Sequence, residues 1–167
     1  MRKYTPEEIE RLMRFADLGD ERFIVRLQGL IDKYTEGYRV EYVPRLYASD
    51  VDEVSATVQF WSVCEHHLVP FFGTCTIRYK PRGKVIGLSK LDIIVRKYAH
   101  RPQLQERLTR QVAQEVLQVT GAEWVEVTTR ALHLCKVIEE DDYNPYECKV
   151  VLHAESNRGQ QGAKGDH

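Results

Sequence analysis

Two short clusters of metal-binding residue types constrain this chain more than anything else in it: Cys64-Glu65-His66-His67 and His133-Leu134-Cys135. Each has a Cys and at least one His within three positions. A borderline-soft ion such as zinc takes thiolate and imidazole ligands at such spacing. A fold that uses both clusters must carry them to one place. A structural zinc site usually takes four protein ligands, whereas a catalytic one takes three and leaves a position for water. Five candidates stand here, so three can hold an ion while two remain as proton-transfer groups beside it. Either cluster alone would say less, because a buried Cys or a satisfied core His is common.

The length of 167 residues fits one domain. A chain 43% hydrophobic and 29% charged is ordinary for a globular protein. The net charge of −1 gives no broad positive field, so neither nucleic acid nor a membrane surface is expected as a partner. No apolar run nears the ~18 residues of a membrane span, and Met1-Arg2-Lys3-Tyr4-Thr5-Pro6-Glu7-Glu8 has no apolar signal core. Four Cys without an export signal imply reduced thiols and a cytoplasmic location. Cys75 and Cys148 lie in strand-like runs and are expected to be buried small hydrophobes.

Thr5-Pro6-Glu7-Glu8 reads as a capping box that starts a short helix. Gly19 is expected to end it and Asp20 to cap a second helix, which runs to about Tyr34 with Phe23, Leu27, Leu30 and Ile31 on one face and Gly37 closing it. Strands are predicted from Tyr38 to Leu46, from Val54 to Val63 by strict alternation, and from Phe71 to Tyr79 after a Leu68-Val69-Pro70 bend. Pro81-Arg82-Gly83 is a turn, and Val85 to Leu88 an extended piece. Ser89 is expected to cap a helix ending near His100. Pro102 is expected to start another, with Leu104, Leu108, Val112, Val116 and Val119 as its buried stripe and Gly121 as its end. From Glu123 to Val137 a long strand would place Val125, Val127, Thr129, Ala131, His133 and Cys135 on one face. A last strand runs from about Glu147 to Ala154. The reading is therefore an N-terminal helical segment (1–36), an α+β domain of two strands, two helices and two strands with the helices on one sheet face (37–155), and a disordered tail (156–167). A small sheet leaves open edges, which proteins often satisfy by assembly.

Four motifs, in order, resemble GTP cyclohydrolase I: Cys64-Glu65-His66-His67-Leu68-Val69-Pro70; Val85-Ile86-Gly87-Leu88-Ser89-Lys90-Leu91; Arg101-Pro102-Gln103-Leu104-Gln105-Glu106-Arg107-Leu108-Thr109; and Ala131-Leu132-His133-Leu134-Cys135. The resemblance implies the tunnelling fold, in which subunit sheets close into an oligomeric barrel, and a homo-oligomer, a decamer of two pentameric rings. It implies Zn2+ held by Cys64, His67 and Cys135, with His66 and His133 as the proton-transfer pair. Gln105 and Glu106 would read guanine, Ser89 and Lys90 would meet the ribose and phosphate end, and Glu65 would belong to the substrate-binding set. The implied reaction opens the imidazole ring of GTP at C8, releases formate and closes a pterin ring, giving 7,8-dihydroneopterin triphosphate.

Three departures fall at the phosphate end. Ile93 and Glu139 stand where the family has Arg, Glu139-Glu140 replacing an Arg-Gly. The N-terminal helical region is shortened and the family's Pro-x-Arg segment is not recognisable in it, with Arg22 or Arg26 as stand-ins. Arg96, Lys97 and Lys136 are cations near enough in sequence to compensate. The alternatives are ring opening of a guanine nucleotide or nucleoside with fewer phosphates, or a non-catalytic zinc-stabilised binding or regulatory module, which would leave His66 and His133 without a role. A zinc nucleobase deaminase is disfavoured, since its His-x-Glu and Pro-Cys-x-x-Cys pattern is absent. So is a tunnelling-fold nitrile reductase, since no Cys outside the metal set lies in a fitting motif.

Overall fold

The computed structural model describes residues 5–15 and 21–154. The expected capping box is present at the start of α1 (Pro6–Phe15): the Thr5 amide donates to Glu8 Oε2 at 2.9 Å, and the Glu8 amide to Thr5 Oγ1 at 3.2 Å. Gly19 and Asp20 lie outside the described residues, as does the tail from residue 155. Helix α2 (Glu21–Thr35) forms, but its apolar face is not covered within the protomer: Leu27, Leu30 and Ile31 are 39%, 44% and 51% exposed.

The strand expected from Tyr38 to Leu46 is absent. A 3-10 turn occupies Glu36–Arg39, and only Leu46–Ala48 extends, as β1. The aromatic residues of this stretch are used differently. Tyr42 reaches across to donate a 2.7 Å hydrogen bond to Glu115. Gly37 sits where a Cβ would stand 2.6 Å from Lys97 O and 2.7 Å from His100 O, so this turn lies flat against the end of a later helix.

The central sheet has the order β5-β2-β3-β6-β7. Strands β2 (Val54–Cys64) and β3 (Pro70–Lys80) form an antiparallel hairpin, and β3 pairs with β6 (Trp124–His133), which pairs with β7 (Tyr146–His153). β4 (Lys84–Ile86) pairs with β1. Alternation sends Phe60, Cys75, Ile77, Tyr79, Val125, Val127 and Ala131 to the covered face. On that face lie α3 (Leu88–Ala99) and α4 (Gln105–Thr120). The α4 stripe Leu108, Val112 and Val116 is fully buried, at about 1.5–3 kcal/mol per side chain. Gly121 ends α4 with φ 62°, as the C-cap its sequence position suggested. The core is thus two strands, two helices and two strands, a mixed α+β unit.

Four local expectations are corrected. Gly87, not Ser89, precedes α3, and Ser89 lies within the first turn. Pro102 does not start a helix. Pro102–Gln103 is a two-residue strand, β5, parallel to the end of β2, an edge position where a missing N–H costs nothing. The long strand stops at His133, and Cys135 and Val137 belong to a short helix, α5 (Leu134–Glu140). Cys75 is buried as expected, but Cys148, on the edge strand β7, is only half-buried.

Candidate metal centre and nucleotide pocket

Register places the two clusters together. Val63 pairs with Pro70, and Phe71 pairs with His133, so the end of β2, the start of β3 and the end of β6 share one edge of the sheet. The chain returns from β2 to β3 through a tight turn in which the Leu68 amide donates to Cys64 O (2.8 Å) and the Cys64 amide to Val69 O (2.9 Å). Leu68 takes φ 54°, the left-handed region that costs a non-glycine residue about 1–2 kcal/mol. That turn folds His67 back over Cys64, leaving its Nδ1 3.6 Å from Cys64 Sγ.

Cys64, His133 and Cys135 bring one ligand atom each within 4.8 Å of one another. Both thiols are buried. Burial, together with the neighbouring Cys64 thiol, pushes the Cys135 thiol above its ordinary range. Burial holds the His133 imidazole below its ordinary value; the Glu106 carboxylate pulls the other way, and the Lys136 ammonium reinforces burial. His133 stacks on Phe71 with ring centroids 4.4 Å apart and 4° between planes, and its Nδ1 is 4.0 Å from Cys135 Sγ. His66 is exposed at the rim, edge-on to His67 at 6.0 Å.

A cavity of about 250 Å³ opens over this cluster. His66, His67, Gln105, Glu106, His133 and Cys135 are on its wall, as are Lys136, Glu139, Glu140 and Tyr146. Gln105 is buried, and its amide nitrogen lies 3.1 Å from each of Thr129 O, Thr129 Oγ1 and Tyr146 O. Its Oε1 is 2.8 Å from His133 Nε2. Glu106 is exposed beside it. Glu65 is bound by Arg107, whose Nε also donates to Gln103 Oε1 at 2.8 Å; the Arg107 hydrogen bond holds the Glu65 carboxyl below its usual range.

Ser89 and Lys90 do not join this group: within one protomer they lie in the first turn of α3, off the cavity wall. The cations expected to compensate at the phosphate end are all engaged by carboxylates. Arg96 is 3.7 Å from Glu36, Lys97 2.9 Å from Glu115, and Lys136 2.7 Å from Glu140 and 2.8 Å from the Tyr146 hydroxyl. Lys136 is the single Lys or Arg among the described residues lining the cavity, against Glu106, Glu139 and Glu140. Glu139 itself lies 3.8 Å from His67 Nε2. Tyr146 was missed as a site residue by sequence reasoning, and Glu65, held by Arg107, is off the cavity wall. Tyr146 carries no motif and arrives only through the pairing of β7 with β6.

Comparison with known proteins is consistent across sequence and fold. Residues 19–153 match the family described as GTP cyclohydrolase I. GTP cyclohydrolase 1 of Hyperthermus butylicus is 48% identical over 112 residues, which is 66% of this chain and 58% of that protein. That of Alkalilimnicola ehrlichii is 41% identical over 138 residues, 81% of this chain and 67% of that protein. GTP cyclohydrolase 1 2 of Pseudomonas syringae pv. tomato is 46% identical over 139 residues, 74% of this chain and 75% of that protein. Among solved structures, the apo form of archaeosine synthase QueF-Like aligns with a TM-score of 0.55 at 18% identity, over 65% of this chain and 100% of that one, a likeness of fold alone.

Proposed function

The chain belongs to the GTP cyclohydrolase I family, and from that premise we propose that it is a zinc-dependent hydrolase opening the imidazole ring of a guanine nucleotide. In the family reaction GTP gives 7,8-dihydroneopterin triphosphate and formate. The observation that carries this reading is the convergence of two thiols and two imidazoles beneath a cavity walled by Gln105 and Glu106.

The donor set fits zinc. With Zn–S of about 2.3 Å and Zn–N of about 2.0–2.1 Å in a tetrahedron, ligand sulfur and nitrogen stand about 3.6 Å apart, and Cys64 Sγ and His67 Nδ1 are separated by 3.6 Å. Cys64, His67 and Cys135 are the ligands in this reading. Zinc, when bound, would supply Lewis acidity that lowers the pKa of a water at the site toward neutrality. The chain's own residues do the rest. His133 and His66 move protons to and from the opening ring, Glu106 accepts from the guanine edge, and the buried thiols and Phe71 exclude bulk water from one side. A non-catalytic zinc module would leave His133 fixed and facing a cavity for no purpose.

The acidic wall favours a second reading within the same chemistry, a substrate with fewer phosphates. Two charge-assisted Arg–phosphate contacts are worth about 3–6 kcal/mol, or ~10²–10⁴ in affinity. Glu139 adds repulsion, and Lys136 is already paired.

Assembly is part of the proposal. The exposed apolar residues of α2 and the open edge of β7 are the surfaces through which subunits would close a barrel and a decamer. Ser89 and Lys90 would then reach the cavity of a neighbouring subunit. No described helix is long and apolar enough to cross a membrane, and a cytoplasmic enzyme is proposed. The test is incubation of zinc-loaded protein with GTP, GMP and guanosine, following formate and pterin fluorescence, in wild type and in an Ile93→Arg/Glu139→Arg variant. Formate from none of them refutes the function. A strong wild-type preference for GTP, unimproved by the two arginines, refutes the second reading alone.

A further inference from the structure

We infer that Gln105 is a positioning residue rather than a reader of the base: it locks His133 as the tautomer protonated on Nε2, so that the Nδ1 lone pair is what His133 offers to the thiol cluster. The inference rests on the proposed ring-opening function only for its consequence, not for its geometry.

The amide orientation of Gln105 is decided by its neighbours. One end of the amide is 3.1 Å from two backbone carbonyls, Thr129 O and Tyr146 O. Carbonyl oxygens only accept, so that end is the NH₂ group; the flipped amide would set oxygen against two oxygens. Thr129 Oγ1 at 3.1 Å is a third neighbour of the same nitrogen, and it is itself tied to Thr109 Oγ1 at 2.7 Å. Both amide hydrogens are therefore used inside the protein. The opposite end, Oε1, accepts, and what faces it at 2.8 Å is His133 Nε2. An oxygen that only accepts must be met by an N–H, and a neutral imidazole has one N–H and one lone pair. Nε2 thus carries the proton and Nδ1 the lone pair, directed at Cys135 Sγ, 4.0 Å away. Stacking on Phe71 fixes the ring plane, so Gln105 has only the tautomer left to select. A side chain 3% exposed with its donors spent is poorly placed to recognise guanine, which leaves base recognition to the exposed Glu106.

The direct test is magic-angle-spinning 15N spectroscopy of histidine-labelled, zinc-loaded wild-type protein, with His133 assigned by its loss in a His133→Asn variant. The expected result is a hydrogen-bearing Nε2 and an Nδ1 without hydrogen; a hydrogen-bearing Nδ1 overturns the inference. In Gln105→Met, which removes the acceptor at nearly constant shape, the His133 signals should move toward a tautomer mixture, and an unchanged spectrum would show that Gln105 does not select the tautomer. Turnover of the best guanine substrate should fall by up to the ~10²–10⁴-fold that a general acid–base group supplies, with its Kd, measured by equilibrium dialysis, unchanged. A Kd raised in step with the loss of turnover makes Gln105 a base reader and overturns the inference. If the variant does not fold, the wild-type spectrum still decides. If wild-type protein turns over no guanine compound, the proposed function fails while the spectra still judge Gln105.

Discussion

Cys64 Sγ and His67 Nδ1 stand 3.6 Å apart across the turn between β2 and β3, the separation of two ligands sharing one tetrahedral zinc. The turn that brings them together carries the left-handed Leu68, so backbone strain sits beside the proposed metal site. His133 also comes within reach of the thiols and is held by Phe71 and Gln105, whereas His67 is exposed on the turn with Glu139 3.8 Å from its Nε2.

Zinc content separates the two imidazoles. Purified protein is expected to hold about one zinc per chain, lost in Cys64→Ala, His67→Ala and Cys135→Ala and kept in His133→Ala. Elemental analysis after dialysis against a weak chelator checks it; full occupancy in the His67 variant with loss in the His133 variant would exchange their roles.

The proton-transfer pair should show the opposite signature. His66→Ala and His133→Ala are expected to retain zinc and lose about 10²–10⁴ in kcat. Formate and pterin release, measured separately, would reveal whether the His133 variant stalls at a ring-opened formamide. Wild-type turnover in either variant removes that residue from the mechanism.

Base selectivity should rest on Glu106. Glu106→Gln is expected to lower kcat/KM for a guanine substrate by the equivalent of about 1–3 kcal/mol, because an N–H of the base loses its acceptor. Unchanged kcat/KM would make Glu106 a solvated first-turn residue of α4, favoured there by the helix dipole.

Much of this was legible in the chain. The alternation of Val54 to Phe60 became β2, Leu108, Val112 and Val116 of the expected α4 stripe were buried, and both clusters met at one end of the sheet. What failed was decided by distant partners. Tyr38 to Arg45 has strand-like composition but joins no strand, only Leu46 entering β1, and Tyr42 goes to Glu115 instead. Pro102 has the local chemistry of a helix start, yet pairing with β2 extends it. Cys135 and Val137 continue the period of two by coincidence, because the chain turns into α5 at Leu134. The saturation of Gln105 depends on Thr129 and Tyr146, neither of which is near it in sequence.

Away from the site, Glu115 gathers the Tyr42 and Tyr98 hydroxyls and the Lys97 ammonium. Burial opposes its ionisation, but the hydrogen bonds from Tyr98, Lys97 and Tyr42 outweigh it, so its carboxyl lies below the usual range. A carboxyl depressed in the folded state stabilises fully above its unfolded value of about 4.3 and loses that contribution as pH falls through the folded one. Glu115→Gln is expected to cost about 3 kcal/mol at pH 7. The penalty should shrink below about pH 4. Denaturant titrations at pH 7 and pH 3.5 measure this; an equal penalty at both removes the charge from the account.

The thiols of Cys64 and Cys135 come from opposite sides of the β3 strand, on segments that meet only when β2, β3 and β6 are all in register. The unfolded chain therefore has no such pocket, and an ion that binds only the assembled sheet adds its binding energy to folding, about 2.7 kcal/mol at a free concentration one hundred times its Kd. If the site holds zinc as proposed, metal supply would govern abundance as well as chemistry, because the demetallated chain unfolds more often and is exposed to proteolysis.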